Sequence, residues 1–179
     1  AALTKANIQY RTVCEDDFKL PERHGKTNIL VVESLAVLTP EEKAIAADFE
    51  KSGGHIVTAD KTDWLDQVRS AIDKPSITIA GPPTVRAVVH DQPTRTIIHL
   101  YNLNIQRLSS FDDQVTPAEN VTLHLHVPFP DARNIRIESA DPETSQPLAN
   151  VSMTKEPTST TATFTVPRLQ ISALVIVEK

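Results

Sequence analysis

The sequence is poor in cysteine and glycine and has no long apolar run, and these shortages limit the kinds of protein and site that it can form. A single cysteine, Cys14, excludes an internal disulfide and a zinc site built from several cysteines. Only 4 glycines stand against 13 prolines, a balance typical of a sheet protein with stiff turns and edges. The longest apolar runs, at residues 29–32 and 174–177, are far shorter than the roughly 20 residues that cross a bilayer. No membrane partner is therefore predicted.

An excess of basic charge is also missing. The net charge is -5, and acidic and basic residues are spread evenly along the chain. No surface is therefore predicted to bind the phosphate backbone of a nucleic acid. The sequence also has no glycine-rich loop of the kind that cradles a dinucleotide or a nucleoside triphosphate, so we predict no cofactor. The cellular compartment stays open, and export together with a parent enzyme is compatible with these observations.

The best-marked element of the first half is a helix that begins after Leu38. Thr39 is the predicted N-cap, Pro40 suits the first helical position, and Glu42 completes a capping box. The helix is predicted to end at residues 52–54, Ser-Gly-Gly, because glycine admits a left-handed backbone.

Two short apolar strands flank this helix, at residues 28–33 and 55–58. A helix between two such strands predicts a βαβ unit with parallel pairing. A second helix is predicted at residues 62–73. Upstream, a strand at residues 8–13 is predicted to follow the last turns of a helix at residues 1–6.

Residues 1–75 are therefore predicted to form an α/β domain that lacks its beginning. A doubly wound domain needs a first strand and a full first helix, and neither is present in this sequence. The sheet would keep an open edge and an uncovered apolar face. We expect the chain to be a truncated or proteolysed piece of a longer protein, in which a neighbour covers that face.

Beyond residue 75 the apolar residues recur with a period of two. Strands are predicted at residues 84–90, 95–102, 121–127, 135–137, 162–166 and 171–177, the first two as a hairpin. This number of strands is enough for a small antiparallel β-sandwich, which we predict for residues 76–179. The connection from residue 103 to residue 119 is unusually long and is therefore the loop with functional potential.

Few residues qualify as ligand contacts. Tyr101 and Phe111 are the two aromatic residues assigned to a ligand surface, since Trp64 fits the buried face of a helix. Asp112 and Asp113 lie beside Phe111 in the long connection and are the predicted polar contacts of a ligand. A calcium loop that uses these two carboxylates is the weaker alternative, and no metal site is predicted.

No residue is assigned a catalytic role. Adjacent acids such as Asp16 and Asp17 diverge, whereas glycoside hydrolysis needs two carboxylates that face each other across about 5 to 10 Å. The acids beside Cys14 disfavour the thiolate that a nucleophile needs.

Four histidines are assigned to the solvent-exposed face of the sheet. His124 and His126 share one strand face, while His90 and His99 flank the hairpin, where they can approach one another. No further ligand stands at a spacing that would complete a metal site with either pair.

Two stretches of the first half resemble the amidotransferase-like domain known as the β-galactosidase trimerisation domain. They are residues 29–42, ILVVESLAVLTPEE, and residues 49–57, FEKSGGHIV. The second half is similar to the C-terminal β domains of bacterial putative glycoside hydrolases, at residues 81–86, GPPTVR, 99–104, HLYNLN, and 164–169, FTVPRL.

The resemblance implies an α/β domain followed by an all-β domain. It implies a partial flavodoxin-like or amidotransferase-like parallel sheet with helices, then a small antiparallel β-sandwich, both placed after a catalytic (β/α)8 barrel. It brings no catalytic residue to this chain, because that family's two catalytic glutamates lie in the barrel. The Gly-x-Cys-x-Gly turn of an active amidotransferase is also absent from the sequence.

We therefore predict a non-catalytic accessory and assembly region of a larger glycoside hydrolase-like protein. Its predicted partner is the upstream catalytic barrel of the same parent chain or a neighbouring subunit, and a homo-oligomer is included. Two alternatives stay open. One is a carbohydrate-binding module centred on Tyr101 and the connection 103–119, and the weaker one is an amidotransferase-like hydrolase that uses Cys14.

Overall fold

The computed structural model describes residues 2–18, 27–144 and 147–179, with Glu15 and Asp16 described by their backbone alone. The helices are α1 (Ala2–Lys5), α2 (Glu15–Phe18), α3 (Pro40–Lys51) and α4 (Trp64–Ala71). The strands are β1 (Ile29–Val32), β2 (His55–Thr58), β3 (Ile77–Ala80), β4 (Val85–Asp91), β5 (Arg95–Asn102), β6 (Ile105–Arg107), β7 (Asp113–Val115), β8 (Ala118–Val127), β9 (Asn134–Glu138), β10 (Ala149–Lys155), β11 (Thr160–Leu169) and β12 (Ser172–Glu178).

The chain divides into two compact units. One is Tyr10–Lys74, and the other joins Ala1–Gln9 to Pro75–Lys179. The first unit holds a short parallel strand pair with helices, and the second consists mostly of antiparallel strands. An α/β part followed by an antiparallel β part is thus present in the predicted order.

The predicted βαβ unit is confirmed. Strands β1 and β2 pair in parallel, with Ile29 opposite His55, and α3 connects them. The Thr39 hydroxyl accepts a hydrogen bond from the backbone N–H of Glu42 at 3.3 Å. The Glu42 carboxylate in turn accepts from the backbone N–H of Thr39 at 2.8 Å, which completes the capping box.

The predicted end of α3 is also confirmed. Gly53 has a φ of +91°, in the left-handed region that glycine adopts without a steric penalty. At Gly54 the reason for glycine is space, because the Phe49 ring occupies the place where a side chain would begin.

Three expectations for the N-terminal half change. The described residues contain only the pair β1 and β2 as parallel sheet, so the flavodoxin-like or amidotransferase-like arrangement is not confirmed. The second helix is shorter than the predicted range 62–73, since α4 covers Trp64–Ala71. The prediction of a strand at residues 8–13 is wrong, because these residues have no regular secondary structure.

Side-chain amides replace the missing strand. The Asn7 side chain accepts from the N–H of Ala87 at 3.1 Å and donates to the carbonyl of Val85 at 3.3 Å. Two residues further along, the Gln9 side chain accepts from the N–H of Val89 at 2.9 Å and donates to the carbonyl of Ala87 at 3.1 Å. Because β4 is an edge strand, these two amides satisfy backbone groups that would otherwise be open to pairing.

Two four-stranded antiparallel sheets form the second unit and confirm the predicted sandwich architecture. The first sheet has the strand order β10-β11-β8-β3 and the second has the order β4-β5-β12-β9. The predicted alternation in β8 is present, since Val121, Leu123, Leu125 and Val127 are fully buried between the sheets. Phe164 of the neighbouring strand β11 is equally buried, so the two long central strands supply much of the core.

Several strands were not predicted. The edge strands β3 and β10 are short or polar, and polar edge strands carry little apolar alternation. The connection 103–119, predicted as a loop, contains the small antiparallel pair β6 and β7.

Two asparagines mark irregular points in the strands. Asn120 in β8 and Asn150 in β10 both have a φ of 51°, which asparagine tolerates better than most residues. The register pairs Val166 with Val121 and Arg168 with Glu119, which places Pro167 opposite Asn120. Proline has no N–H to donate, so a local irregularity here lets a central strand contain it.

The amides of Asn7 and Gln9 are expected to protect the β4 edge. In the double variant Asn7→Ala/Gln9→Ala, hydrogen exchange at the N–H groups of Ala87 and Val89 should accelerate roughly five-fold, because each loses a bond worth about 1 kcal/mol. Amide exchange measured by NMR checks this, with the interior strand β12 as internal control. Unchanged exchange at both amides would show that the contacts do not protect the edge.

Candidate functional site

The outer faces of the two sheets differ in chemistry. On the first sheet the outward residues are mostly threonine and histidine. Thr122 and Thr165 hydroxyls lie 3.0 Å apart, and His124 Nδ1 lies 3.0 Å from the hydroxyl of Thr163. This polar face agrees with the assignment of His124 and its neighbour His126 to the solvent-exposed face of a sheet.

The outer face of the second sheet carries aromatic and aliphatic side chains on β5 and β12, next to charged side chains on β9. Strand β5 buries Ile98 and Leu100 in the core, so its pleat turns His99 and Tyr101 outward. Tyr101 is 39% exposed, a large fraction for an aromatic residue on a sheet face. On the neighbouring strand β12 the outward residue next to His99 is Leu174.

A groove of about 430 Å³ lies on this face. Leu174 faces His99 of β5 on one side and Glu138 of β9 on the other, so the groove runs over β12 between these two strands. Ser172, which stands opposite Tyr101, is small and leaves room beside the ring. The groove therefore has an aromatic wall, an aliphatic floor and a polar opposite side.

Three rings follow one another along the β4–β5 hairpin. The centroids of His90 and His99 lie 5.4 Å apart in an edge-to-face arrangement, which confirms the predicted approach of these histidines. The rings of His99 and Tyr101 are nearly parallel, at 17°, with centroids 6.4 Å apart. Both distances lie in the range of favourable ring contacts, so the rings hold one another in place.

The polar side of the groove is fixed by internal bonds. Ser139 donates to the carbonyl of Ser172 at 2.6 Å and accepts from the N–H of Asp141 at 3.0 Å. The Asp141 carboxylate accepts from the N–H of Ile171 at 3.2 Å. The loop that follows β9 is thus tied to the turn before β12 at two points.

The predicted residues Phe111, Asp112 and Asp113 lie elsewhere, on the β6–β7 hairpin (residues 103–116). Phe111 is fully exposed at its tip. The backbone carbonyl of Asp112 accepts from the N–H groups of Leu108 and Ser109, which closes the turn. The Asp113 carboxylate holds the Arg107 guanidinium at 2.9 and 3.2 Å.

The four predicted ligand contacts are therefore split between two features. Tyr101 joins His99 in the groove, and the other three belong to the β6–β7 hairpin. Their roles in binding stay predictions. Among residues 2–18, 27–144 and 147–179 no three His, Cys, Asp or Glu side chains come close enough to hold a metal ion.

Asn102 fixes the base of the β6–β7 hairpin. It is the next inward residue of β5 after Leu100 and is 1% exposed. Its side-chain N–H groups donate to the carbonyls of Thr116, Gln170 and Leu169, at 2.8, 2.9 and 3.3 Å. Its side-chain oxygen accepts from the N–H of Asn104 at 3.1 Å. One buried amide therefore ties both ends of the hairpin to the turn between β11 and β12.

Arginines pair with several of the carboxylates that the sandwich carries on its surface. Arg168 bonds Glu119 and Glu143, each at 2.7 Å, and the bond to Glu143 is the main reason why its pKa is raised. Arg136 pairs with Glu138 and with Glu178, and its hydrogen bond lowers the pKa of Glu178. These carboxylates serve surface ion pairs.

Cys14 is exposed. Its backbone carbonyl accepts a hydrogen bond from the N–H of Phe18 at 2.8 Å. Of the helices described, none has the length and apolar character needed to cross a bilayer.

Comparison with known proteins assigns no family to this chain. Neither the scan against protein-family models nor the search of curated proteins finds a match. Among solved structures, the chain is similar to a cycloisomaltooligosaccharide glucanotransferase of a Paenibacillus species, solved with cycloisomaltoheptaose. The identity is 19% and the TM-score 0.41, over 56% of this chain and 16% of the glucanotransferase chain. This match is too distant to assign a fold or a function.

Of the residues that line the groove, the sequence predicted only Tyr101 as a ligand contact; Ser172, Leu174 and Glu138 are among those it missed. Each looks ordinary in the sequence, since serine, leucine and glutamate are common at strand positions. Only the pairing of β12 with β5 and β9 brings them beside Tyr101. The one available signal was the apolar residue Leu174 inside a continuous apolar run, which indicates a strand with two covered faces.

Asn102 is expected to be essential for the position of the β6–β7 hairpin. Asn102→Ala removes the three hydrogen bonds to the carbonyls of Thr116, Gln170 and Leu169, which should lower the free energy of unfolding by about 2 to 3 kcal/mol. Urea unfolding measures this loss, and limited proteolysis should cut faster between residues 103 and 119. Asn104→Ala, an exposed asparagine two residues away, is the matched control. Equal stability and equal cleavage for the two variants would contradict the role of Asn102.

Proposed function

We propose that this chain is a non-catalytic accessory region of a larger carbohydrate-active protein, which attaches to a neighbouring part of that protein through the β6–β7 hairpin. One observation carries the proposal. The hairpin exposes four large apolar side chains while its base is held by hydrogen bonds of the buried Asn102 side chain. These side chains are Leu103 (57% exposed), Ile105 (45%), Leu108 (54%) and Phe111 (100%).

Exposed apolar residues close together in one short hairpin indicate a surface that a partner covers. Burying one such side chain contributes about 1.5 to 3 kcal/mol. Because Asn102 and the Arg107–Asp113 ion pair already order the hairpin, docking would cost little conformational entropy. The predicted occupant is the upstream catalytic barrel of a parent chain, or a neighbouring subunit that includes a second copy of this chain.

The non-catalytic part of the proposal is supported by how the carboxylates are used. Glu119, Glu143, Glu138, Glu178 and Asp113 are all engaged by arginines on the surface. A glycoside hydrolase instead needs two carboxylates that face a bound sugar. The connection to carbohydrate-active proteins is supported by the resemblance of residues 29–57 and of three stretches in the second half.

A second candidate function is carbohydrate binding. It is favoured by a specific observation, the exposed Tyr101 ring in line with His99 beside the groove. The amidotransferase-like alternative receives no such support, because within residues 2–18, 27–144 and 147–179 no basic side chain is hydrogen-bonded to the Cys14 thiol.

The chain by itself is expected to hydrolyse no glycosides. Release of 4-nitrophenol from a panel of 4-nitrophenyl glycosides, followed by absorbance, measures this directly. Turnover that disappears on replacement of one aspartate or glutamate by its amide would overturn the non-catalytic assignment.

The hairpin is expected to carry the attachment to the rest of the parent protein. Leu108→Ser/Phe111→Ser should weaken binding to the separately produced upstream part by about 100-fold or more, because two buried apolar side chains are lost. Isothermal titration calorimetry measures the affinity. Val151→Ser, which removes another exposed apolar residue of the same unit, is the control and should bind as the unchanged chain does. Equal affinity of the double variant and the control would exclude the hairpin as the contact.

A further inference from the structure

We propose that the groove on the outer face of the second sheet is a binding site for a neutral oligosaccharide, with Tyr101 as the platform on which a pyranose ring stacks. This inference goes beyond attachment through the β6–β7 hairpin, because the groove consists of other residues. Its polar and apolar groups come from β5, β12 and the end of β9: His99, Tyr101, Leu174, Ser172, Glu138 and Ser139.

The first argument is the aromatic wall. A pyranose ring has an apolar face of C–H groups that packs on the electron-rich face of an aromatic ring. Tyr101 offers such a face, since 39% of the residue is exposed on the outer side of the sheet. The ring of His99 lies nearly parallel beside it and extends the aromatic surface along β5.

The second argument is the set of polar groups across the groove. Glu138 is a hydrogen-bond acceptor with 55% of its side chain exposed, and sugar hydroxyls donate well to carboxylates. The Tyr101 hydroxyl has no hydrogen-bond partner among the described residues and can donate or accept. A purely apolar ligand would leave both groups unused.

Charge favours a neutral ligand over a cation. An aromatic ring beside a carboxylate also suits an ammonium group. Here, however, Arg136 pairs with both Glu138 and Glu178, and the charge of Arg95 also acts on Glu178, so two guanidinium groups face these two carboxylates. The site therefore retains hydrogen-bonding capacity without the excess negative charge that an ammonium ligand needs.

The groove is preformed. Ser139 and Asp141 tie its polar side to residues 171 and 172, and the ring contacts of His99 hold its aromatic side. The volume of about 430 Å³ lies within the roughly 300 to 1,000 Å³ of small-molecule sites. Little ordering on binding is therefore required.

The test uses the complete chain and NMR of the ring protons of His99 and Tyr101. The probes are millimolar cellohexaose, isomaltoheptaose and xylohexaose. At least one of them should shift both sets of ring signals, with saturation. Tyr101→Ala should weaken this binding by about ten-fold or more, whereas Tyr101→Phe keeps the stacking face and should retain most of it.

Two further variants decide the location. Ser172→Trp fills the floor beside Tyr101 and should abolish binding while leaving the core unchanged. Tyr10→Ala removes an exposed tyrosine of the other unit and should bind normally.

A chain that binds no probe overturns the proposal, and so does binding that survives both Tyr101→Ala and Ser172→Trp. Shifts caused by tetramethylammonium and by none of the sugars would identify a cation site instead.

The outcome is independent of the attachment through the hairpin. Leu108→Ser/Phe111→Ser should leave oligosaccharide binding unchanged, and Tyr101→Ala should leave the affinity for the upstream part of the parent unchanged. Failure of one proposal can therefore be told from failure of the other.

Discussion

The pleat of β5 is the constraint on which the other features of the sandwich depend. Successive side chains of a strand point to opposite faces, so burial of Ile98 and Leu100 fixes the outward position of His99 and Tyr101. The same alternation turns Asn102 into the core. One strand therefore supplies core packing, an aromatic surface and a buried polar group.

The buried amide of Asn102 has consequences because the core cannot leave it unsatisfied. A buried polar group without partners costs free energy comparable to a lost hydrogen bond, and here the available partners are backbone groups of two neighbouring turns. The Asn102 side chain bonds the N–H of Asn104, the carbonyl of Thr116 and the carbonyl of Gln170, and so connects both ends of the hairpin to the turn between β11 and β12. The β6–β7 hairpin is thus held at its base by the requirements of the core, while its apolar tip stays exposed.

Polar side chains also determine the edge of the second sheet. Asn7 and Gln9 meet backbone groups of β4 with their amides, where a further strand would meet them with its backbone. This explains why alternation at residues 8–13 did not produce a strand. The period of the sequence predicted a strand, but it carried no information about which groups would make the bonds.

The sequence by itself determined the features that local chemistry controls. The capping box of Thr39 and Glu42, the glycine end of α3 and the buried alternation of β8 follow from steric and hydrogen-bonding rules within a few residues. The tertiary structure alone decided which distant residues meet. Leu174 and Glu138 stand beside His99 because of strand pairing between segments far apart in the chain. Pairing of that kind depends on the whole core, and no local pattern of serine, leucine or glutamate encodes it.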